Sequence, residues 1–337
     1  MESTGNRIKP EIYDKLSASI LRRYQANSRK SMLDVYRVDR DFVRLEKDNL
    51  EFMFDNRVEI TAILDDPESS RGLVNEFVRS SLEFTYNNNQ YVHLNQDEQD
   101  RLLKMYTAYL RGMKTVLAEA SSFPEFKTNF SGLVKEHFND LSRNISRFFD
   151  REPGWQVQEN IILKQVVCSE YSPDFQLKLL GMDARDLMPP VLDIGCGKQG
   201  ILVKYLQSLG LQAMGVDRIV DPAPGLHEAD WFDLDFKPDS WGTVISHMAF
   251  SNHFLFHHRY KNGSPDRYAR IYMRILNGLK IGGSFIYSPG LPFIEQYLPS
   301  DRFTIQRRDV SSSRQLTEEI ITSPDEKPAV VTITRIA

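Results

Sequence analysis

The decapeptide VLDIGCGKQG, residues 191–200, decides how the second half of this chain is built. Val191–Ile194 is a short apolar run carrying one acid, and glycines at 195, 197 and 200 interrupt it. The following ILVKYLQSLG repeats apolar residues at three- and four-residue steps, so the pattern predicts strand, tight turn and helix. Glycine accepts positive φ and lets a polar group come close to the backbone, while a helix N-terminus offers free N–H groups at the same point. Taken alone, the G-x-G-x-x-G spacing fits several ligands, and it also fits a turn that binds nothing.

Working outward, short apolar runs alternate with amphipathic stretches: QAMGVD, TVISHMAF, YARIYMRILNGLK, GSFIYS, FTIQRRDV and AVVTITRI. This alternation predicts parallel crossover units, hence an α/β sheet with helices on both faces. The last two runs have no long helix between them and predict an antiparallel, hairpin-like ending at the sheet edge.

Residues 10–150 have a different rhythm. Leu102, Leu103, Met105, Tyr106, Leu110, Met113, Val116 and Leu117 keep helical spacing, with Asn95 or Asp97 placed to cap them. After Pro124 the residues Phe126, Phe130, Leu133, Val134, Phe138 and Leu141 do the same, and Asp66-Pro67-Glu68-Ser69 caps a stretch with Leu73, Val74, Phe77 and Val78. The Met and aromatic stripes are assigned to core packing. REPGW, residues 151–155, breaks the pattern as a hinge. Two domains are therefore expected, a helical one over 1–152 and an α/β one over 153–337.

The formal net charge is −4 at pH 7, which disfavours a general polyanion binder. Basic residues Arg22, Arg23, Arg29, Lys30, Arg37 and Arg40 are the exception, and if gathered on one side they would favour an RNA or protein partner. The chain has two cysteines, Cys168 and Cys196, too few for a disulfide framework or a four-cysteine zinc site. A cytoplasmic setting is expected. No apolar run approaches the roughly 18 residues of a membrane span, and MESTGNRIKPEIYDK has no signal-peptide core.

Further residues narrow the ligand of the glycine loop. Asp193, at the strand end, suits an ammonium group and would repel the pyrophosphate of a dinucleotide. Asp217 lies 22 residues after Gly195, where a carboxylate can accept ribose hydroxyls in either ligand class. In HEADWFDLDF, Asp230 can accept from an adenine amino group and Trp231 can cover the ring. The plain alternative is a tight turn with acids that cap helices.

From about residue 185 to 337 the chain resembles the class I S-adenosylmethionine-dependent methyltransferases. VLDIGCGKQG, GVD, ADWFDLDFKPDSW and GLKIGGSF carry the resemblance, in that order. It implies a Rossmann-like sheet of seven strands with one antiparallel strand near its edge, preceded here by the all-α domain. Methionine would lie by Asp193, Gly195 and Gly197, ribose by Asp217 and adenine by Asp230 and Trp231, with Cys196 and Arg218 counted among the cofactor-binding positions. CSEYSPDFQLKLLG would form a flap bringing Tyr171 to the cofactor, or Tyr171 simply packs. Two departures from the family stand out. Gln199 occupies the place of a familiar glycine, and Trp241-Gly242 replaces a frequent Phe-Asp pair.

Methyl transfer from a sulfonium requires alignment, exclusion of water and, for a protonated acceptor, a proton sink. SHMAFSNHFLFHHRY, residues 246–260, holds four of the seven histidines: His247, His253, His257 and His258. His247 is the first choice for a general base and His253 the second. His253 with His257, four apart, also has metal-binding spacing, and packing is the third reading. No metal is assigned. In YSPGLPFIEQYLP, residues 287–299, Tyr287, Pro289, Phe293, Glu295 and Tyr297 form either a substrate-contacting loop or an ordinary connection.

The resulting expectation is S-adenosyl-L-methionine-dependent methylation of a small molecule, the helical domain serving as lid, homodimer interface or both. An RNA or protein acceptor, an NAD-dependent oxidoreductase and a non-catalytic cofactor-binding protein are the alternatives.

Overall fold

In the computed structural model, residues 10–27, 47–89, 91–92, 94–151, 171–259, 263–310 and 329–337 are described. Residues 152–155 of the expected hinge, Cys168, Arg29, Lys30, Arg37 and Arg40 lie outside them. The chain divides into two compact units, Met1–Cys168 and Ser169–Ala337.

The first unit is helical: α1 (Pro10–Asn27), α2 (Lys47–Asp55), α3 (Arg57–Asp65), α4 (Pro67–Asn88), α5 (Gln96–Glu119) and α6 (Phe123–Arg151). Sequence-coded caps set its boundaries. Asp66 accepts from the Ser69 N–H at 2.8 Å with Pro67 opening α4. Asn95 and Glu98 exchange side-chain to backbone bonds at the start of α5, a capping box that satisfies two helix-end donors at once. The aromatic stripes face inward. Phe77 stacks on Tyr106 with centroids 5.0 Å apart, and His137 lies against both Tyr106 and Tyr109. Leu103 departs from its expected place and is exposed, while Tyr109 is buried. Helix phase explains the exchange, since position 109 lies closer than 103 to the face that carries Leu102, Tyr106 and Met113.

The second unit begins with α7 (Pro173–Leu180), closed by Gly181 in the left-handed conformation. Then come β1 (Val191–Ile194), α8 (Ile201–Ser208), β2 (Ala213–Asp217), β3 (Leu226–Glu228), β4 (Trp241–His247) and α9 (Phe250–Arg259). The remainder is α10 (Pro265–Gly278), β5 (Leu279–Ser288), α11 (Pro292–Glu295), β6 (Phe303–Asp309) and β7 (Ala329–Arg335). The seven strands lie in the order β3-β2-β1-β4-β5-β7-β6. Strands β1 to β5 pair in parallel, and β7 runs antiparallel between β5 and the edge strand β6.

Strand alternation gives the sheet two apolar faces. Leu192, Val244, Phe285 and Val331 meet Phe250 and Phe254 of α9 and Ile271 and Ile275 of α10. Their chain neighbours Val191, Ile245, Ile286 and Val330 meet Leu177 of α7 and Leu202 and Leu206 of α8. Such double coverage explains why these strands are almost continuously apolar. The Trp241-Gly242 departure is a packing feature: a side-chain carbon at 242 would run into the Met188 carbonyl, and the pairing of β4 with β5 shifts at this point. Among the described residues, no helix is long and apolar enough to cross a membrane.

Strands β1 and β4 are neighbours in the sheet, yet their chains leave toward opposite faces. The crevice outside their carboxyl ends is where an open α/β sheet holds ligands.

Candidate functional site

The glycine loop is tied down where β1 ends. The N–H groups of Gly195 and Cys196 both donate to the Val216 carbonyl, at 2.8 and 3.3 Å. Gly195 has φ 80°, and a side-chain carbon there would collide with Ala249, so the close approach demands glycine. Cys196 is buried with its sulfur against Gly215, which places it in the packing of the loop.

Asp217 closes β2. Its Oδ2 accepts from the Gly197 N–H at 2.9 Å and its Oδ1 from the Arg218 N–H at 2.7 Å. A carboxylate has about four lone-pair sites, and the backbone N–H groups of Gly197, Arg218 and Ile219 take three of them. Burial raises the pKa of Asp217, opposed by the Arg218 charge and the backbone N–H groups of Gly197, Arg218 and Ile219. Asp193, one strand away, is 2% exposed. Burial and the Asp217 charge push its carboxyl up to about 7. Two neighbouring buried carboxylates resist joint ionisation unless a cation joins them.

Asp230 lies two residues beyond β3, and its Oδ1 accepts from the Phe232 N–H at 2.9 Å. Trp231 is buried, edge-on to His253 with centroids 4.9 Å apart and to Phe250 at 5.9 Å. The nearest ring atom, Cζ3, would lie 3.8 Å from a side-chain carbon at Gly195, so the indole stands beside the glycine turn. Its Nε1 is buried without a hydrogen-bond partner. The neighbouring Phe232 ring, which sequence reasoning passed over, carries the Arg267 guanidinium 3.7 Å above it.

The four histidines are close in sequence but not in surroundings. His247 ends β4 opposite Ser288 of β5, with Tyr171 edge-on at 5.3 Å and Phe175 at 6.3 Å. Burial lowers its pKa to about 4, and its Nε2 has no hydrogen-bond partner. His253 packs against Trp231, His257 stacks on Tyr268 at 4.7 Å, and His258 lies flat on Phe293 at 3.6 Å. Among the described residues, no group of three His, Cys, Asp or Glu could hold a metal ion. Tyr171 stacks on Phe175 at 4.9 Å, just before α7.

The loop after β5 resolves into structure. Tyr287 is fully buried, bonded to the Tyr272 hydroxyl at 2.9 Å and donating to Glu295 Oε1 at 2.7 Å. Arg307 completes the network on Glu295 Oε2, at 2.7 Å from Nε. Tyr297 is 78% exposed. Asn252, which gave no sequence signal, is 2% exposed at the start of α9. Its Nδ2 donates to the Met248 carbonyl at 3.1 Å, and its Oδ1 has no partner.

No family model matches the sequence, and no curated protein matches it. Solved structures do. An S-adenosylmethionine-dependent methyltransferase of Mesorhizobium loti is 17% identical, with 46% of this chain and 99% of that one covered and a TM-score of 0.29. A SAM-dependent methyltransferase of Methanosarcina mazei is 13% identical over 43% of this chain and 91% of that one, at 0.27. The plantazolicin methyltransferase BpumL, solved with a desmethyl analogue and SAH, is 13% identical over 58% and 91%, at 0.32. These likenesses are slight, and the architecture rests on the sheet itself. With the seven strands of its described residues in the order β3-β2-β1-β4-β5-β7-β6 and β7 reversed among them, Ser169–Ala337 has the class I S-adenosylmethionine-dependent methyltransferase fold.

Proposed function

We propose that the chain binds S-adenosyl-L-methionine at the carboxyl ends of β1 to β3 and methylates a small molecule, with His247 taking the acceptor's proton. The buried Asp193 and Asp217 carboxylates beside the glycine turn carry this reading. A sulfonium amino acid offers Asp193 an ammonium group, which removes the repulsion between the acids, and offers Asp217 two ribose hydroxyls. A dinucleotide would bring its pyrophosphate to the same acids and add repulsion. The bare Cα of Gly195 and the Gly197 N–H held by Asp217 fit a ligand that presses on the backbone.

The bound cofactor supplies an electrophilic methyl group whose carbon–sulfur bonding pair stays on sulfur, leaving a neutral thioether. The protein's part is to orient and to move a proton. As the acceptor atom gains the methyl group it becomes positive and acidic, so even a weak base takes its proton. His247 is neutral at pH 7 because burial opposes its charge, and its Nε2 is unpartnered. His253 is the second choice because Trp231 packs on its ring. Asp230 is assigned to the adenine amino group, with Trp231, Arg218, Cys196 and Tyr171 around the cofactor. A small acceptor is favoured over nucleic acid by the net charge of −4.

Calorimetry tests the reading. S-adenosylhomocysteine and S-adenosylmethionine should bind and NAD should not. Uptake of NAD alone would favour an oxidoreductase and remove the proposal.

A further inference from the structure

The segment that carries Asp230 and Trp231, ADWFDLDFKPDS at residues 229–240, joins β3 to β4 and is neither helix nor strand. A binding group on such a connection is only as precise as the packing that holds it. At its start the Ala229 N–H donates to the Asp217 carbonyl at 2.9 Å. The rest runs along α10 from one end of the helix to the other. At the far end the Ser240 N–H donates to the Gly278 carbonyl at 2.9 Å, and Phe236 packs beside Gly278. Midway, Arg274 donates to the Leu234 carbonyl and lies 5.8 Å from the centre of the Phe236 ring. Near the helix start, Arg267 lies 3.7 Å above the Phe232 ring, and Tyr268 meets the same ring edge-on at 5.0 Å. Arg267 and Arg274 are seven residues apart, two helical turns, so one side of α10 presents both to the connection.

The Arg267 contact bears directly on Asp230. The Phe232 N–H donates to Asp230 Oδ1 at 2.9 Å, and the Asp233 N–H donates to the Asp230 carbonyl at 3.0 Å. This tight turn makes the direction of the Asp230 carboxylate depend on where Phe232 sits. The Arg218, Asp230 and Arg267 charges also act together on the Tyr268 hydroxyl, whose pKa is raised chiefly by burial.

We infer that Arg267 is a positioning residue for the adenine end of the cofactor: by holding the Phe232 ring it aims Asp230 at the exocyclic amino group, and so sets the preference for adenine over a 6-oxo purine. The inference rests on the cofactor reading and deepens it. Arg267 acts through Phe232 and Asp230 and does not touch the ligand.

Calorimetry with S-adenosylhomocysteine and S-inosylhomocysteine, which carry an amino group and an oxygen at purine position 6, tests it. The native protein should prefer the adenine compound at least tenfold, the weight of a charge-assisted hydrogen bond. Arg267→Met should cut that preference about fivefold, the weight of one exposed cation–π contact, by weakening the adenine compound and leaving the inosine compound nearly unchanged. Arg267→Lys should restore it, because an ammonium group can also sit over the ring. Arg270→Met, which removes an exposed charge from the same helix, should leave the preference as it is. An unchanged preference in folded Arg267→Met, an equal loss of both ligands, no recovery with lysine or an equal effect at Arg270 overturns the inference. If the native protein binds both compounds equally, the inference alone fails; if it binds neither, the cofactor reading fails and the inference falls with it.

Discussion

Gly197 donates its backbone N–H to Asp217 across 2.9 Å, joining the glycine loop after β1 to the end of β2. The bond orients the carboxylate before any ligand arrives. Replacing Asp217 by Ala should therefore weaken S-adenosylhomocysteine binding by about 1–3 kcal/mol through loss of charge-assisted hydrogen bonds. Calorimetry on the folded variant checks this, and unaltered affinity would remove Asp217 from the ribose.

Asp193 sets a pH dependence. Its carboxyl, raised to about 7, is half protonated near neutrality, and only the ionised form attracts an ammonium group. Affinity for S-adenosylhomocysteine should rise as pH climbs through 7, and Asp193→Asn should lower the affinity and flatten the profile. Stability moves the other way. Between the ordinary 3.8 and about 7 the folded protein holds a proton that the unfolded chain has released, so this contribution is full at low pH and lost across that window. Thermal melts of the ligand-free protein should show the loss, and Asn at 193 should abolish it.

His247→Ala should reduce turnover by about 10²–10⁴-fold with cofactor affinity intact, the usual loss for a general base. Since burial lowers its pKa to about 4, the native rate at saturating cofactor should stay level across neutral pH and fall only toward acid. A limb near 6.5, the ordinary imidazole value, or full activity in the variant would show that another group takes the proton.

Gly195→Ala should destabilise the fold by about 1–3 kcal/mol, because the new methyl meets Ala249 and φ 80° strains any L side chain. Adding Ala249→Gly should restore the collision's share and leave the φ penalty. Additive losses in the double variant would mean that the two residues do not touch.

Much of the architecture was legible because each signal is local. Asp66 and Asn95 mark helix starts through bonds only three residues long, and VLDIGCGKQG carries its strand, turn and helix within ten residues. Of the candidate site, the placement of Asp193 and Asp217 at adjacent strand ends was legible, because position along a strand decides it. The histidine run does not form one cluster, because residues of α9 point to different sides: His253 to Trp231, His257 to Tyr268 and His258 to Phe293. Glu295 looked like a loop acid, yet it is buried between Tyr287 of β5 and Arg307 of β6, a partnership set by how the two strands flank it in the fold.

In the proposed function, two acids at neighbouring strand ends grip the amino and ribose groups of an adenosyl amino acid. A crystal grown with S-adenosylhomocysteine tests it most directly. The ligand's ammonium should lie within hydrogen-bond distance of Asp193 and its ribose hydroxyls on Asp217. A ligand seated elsewhere, or none at saturating concentration, would contradict it.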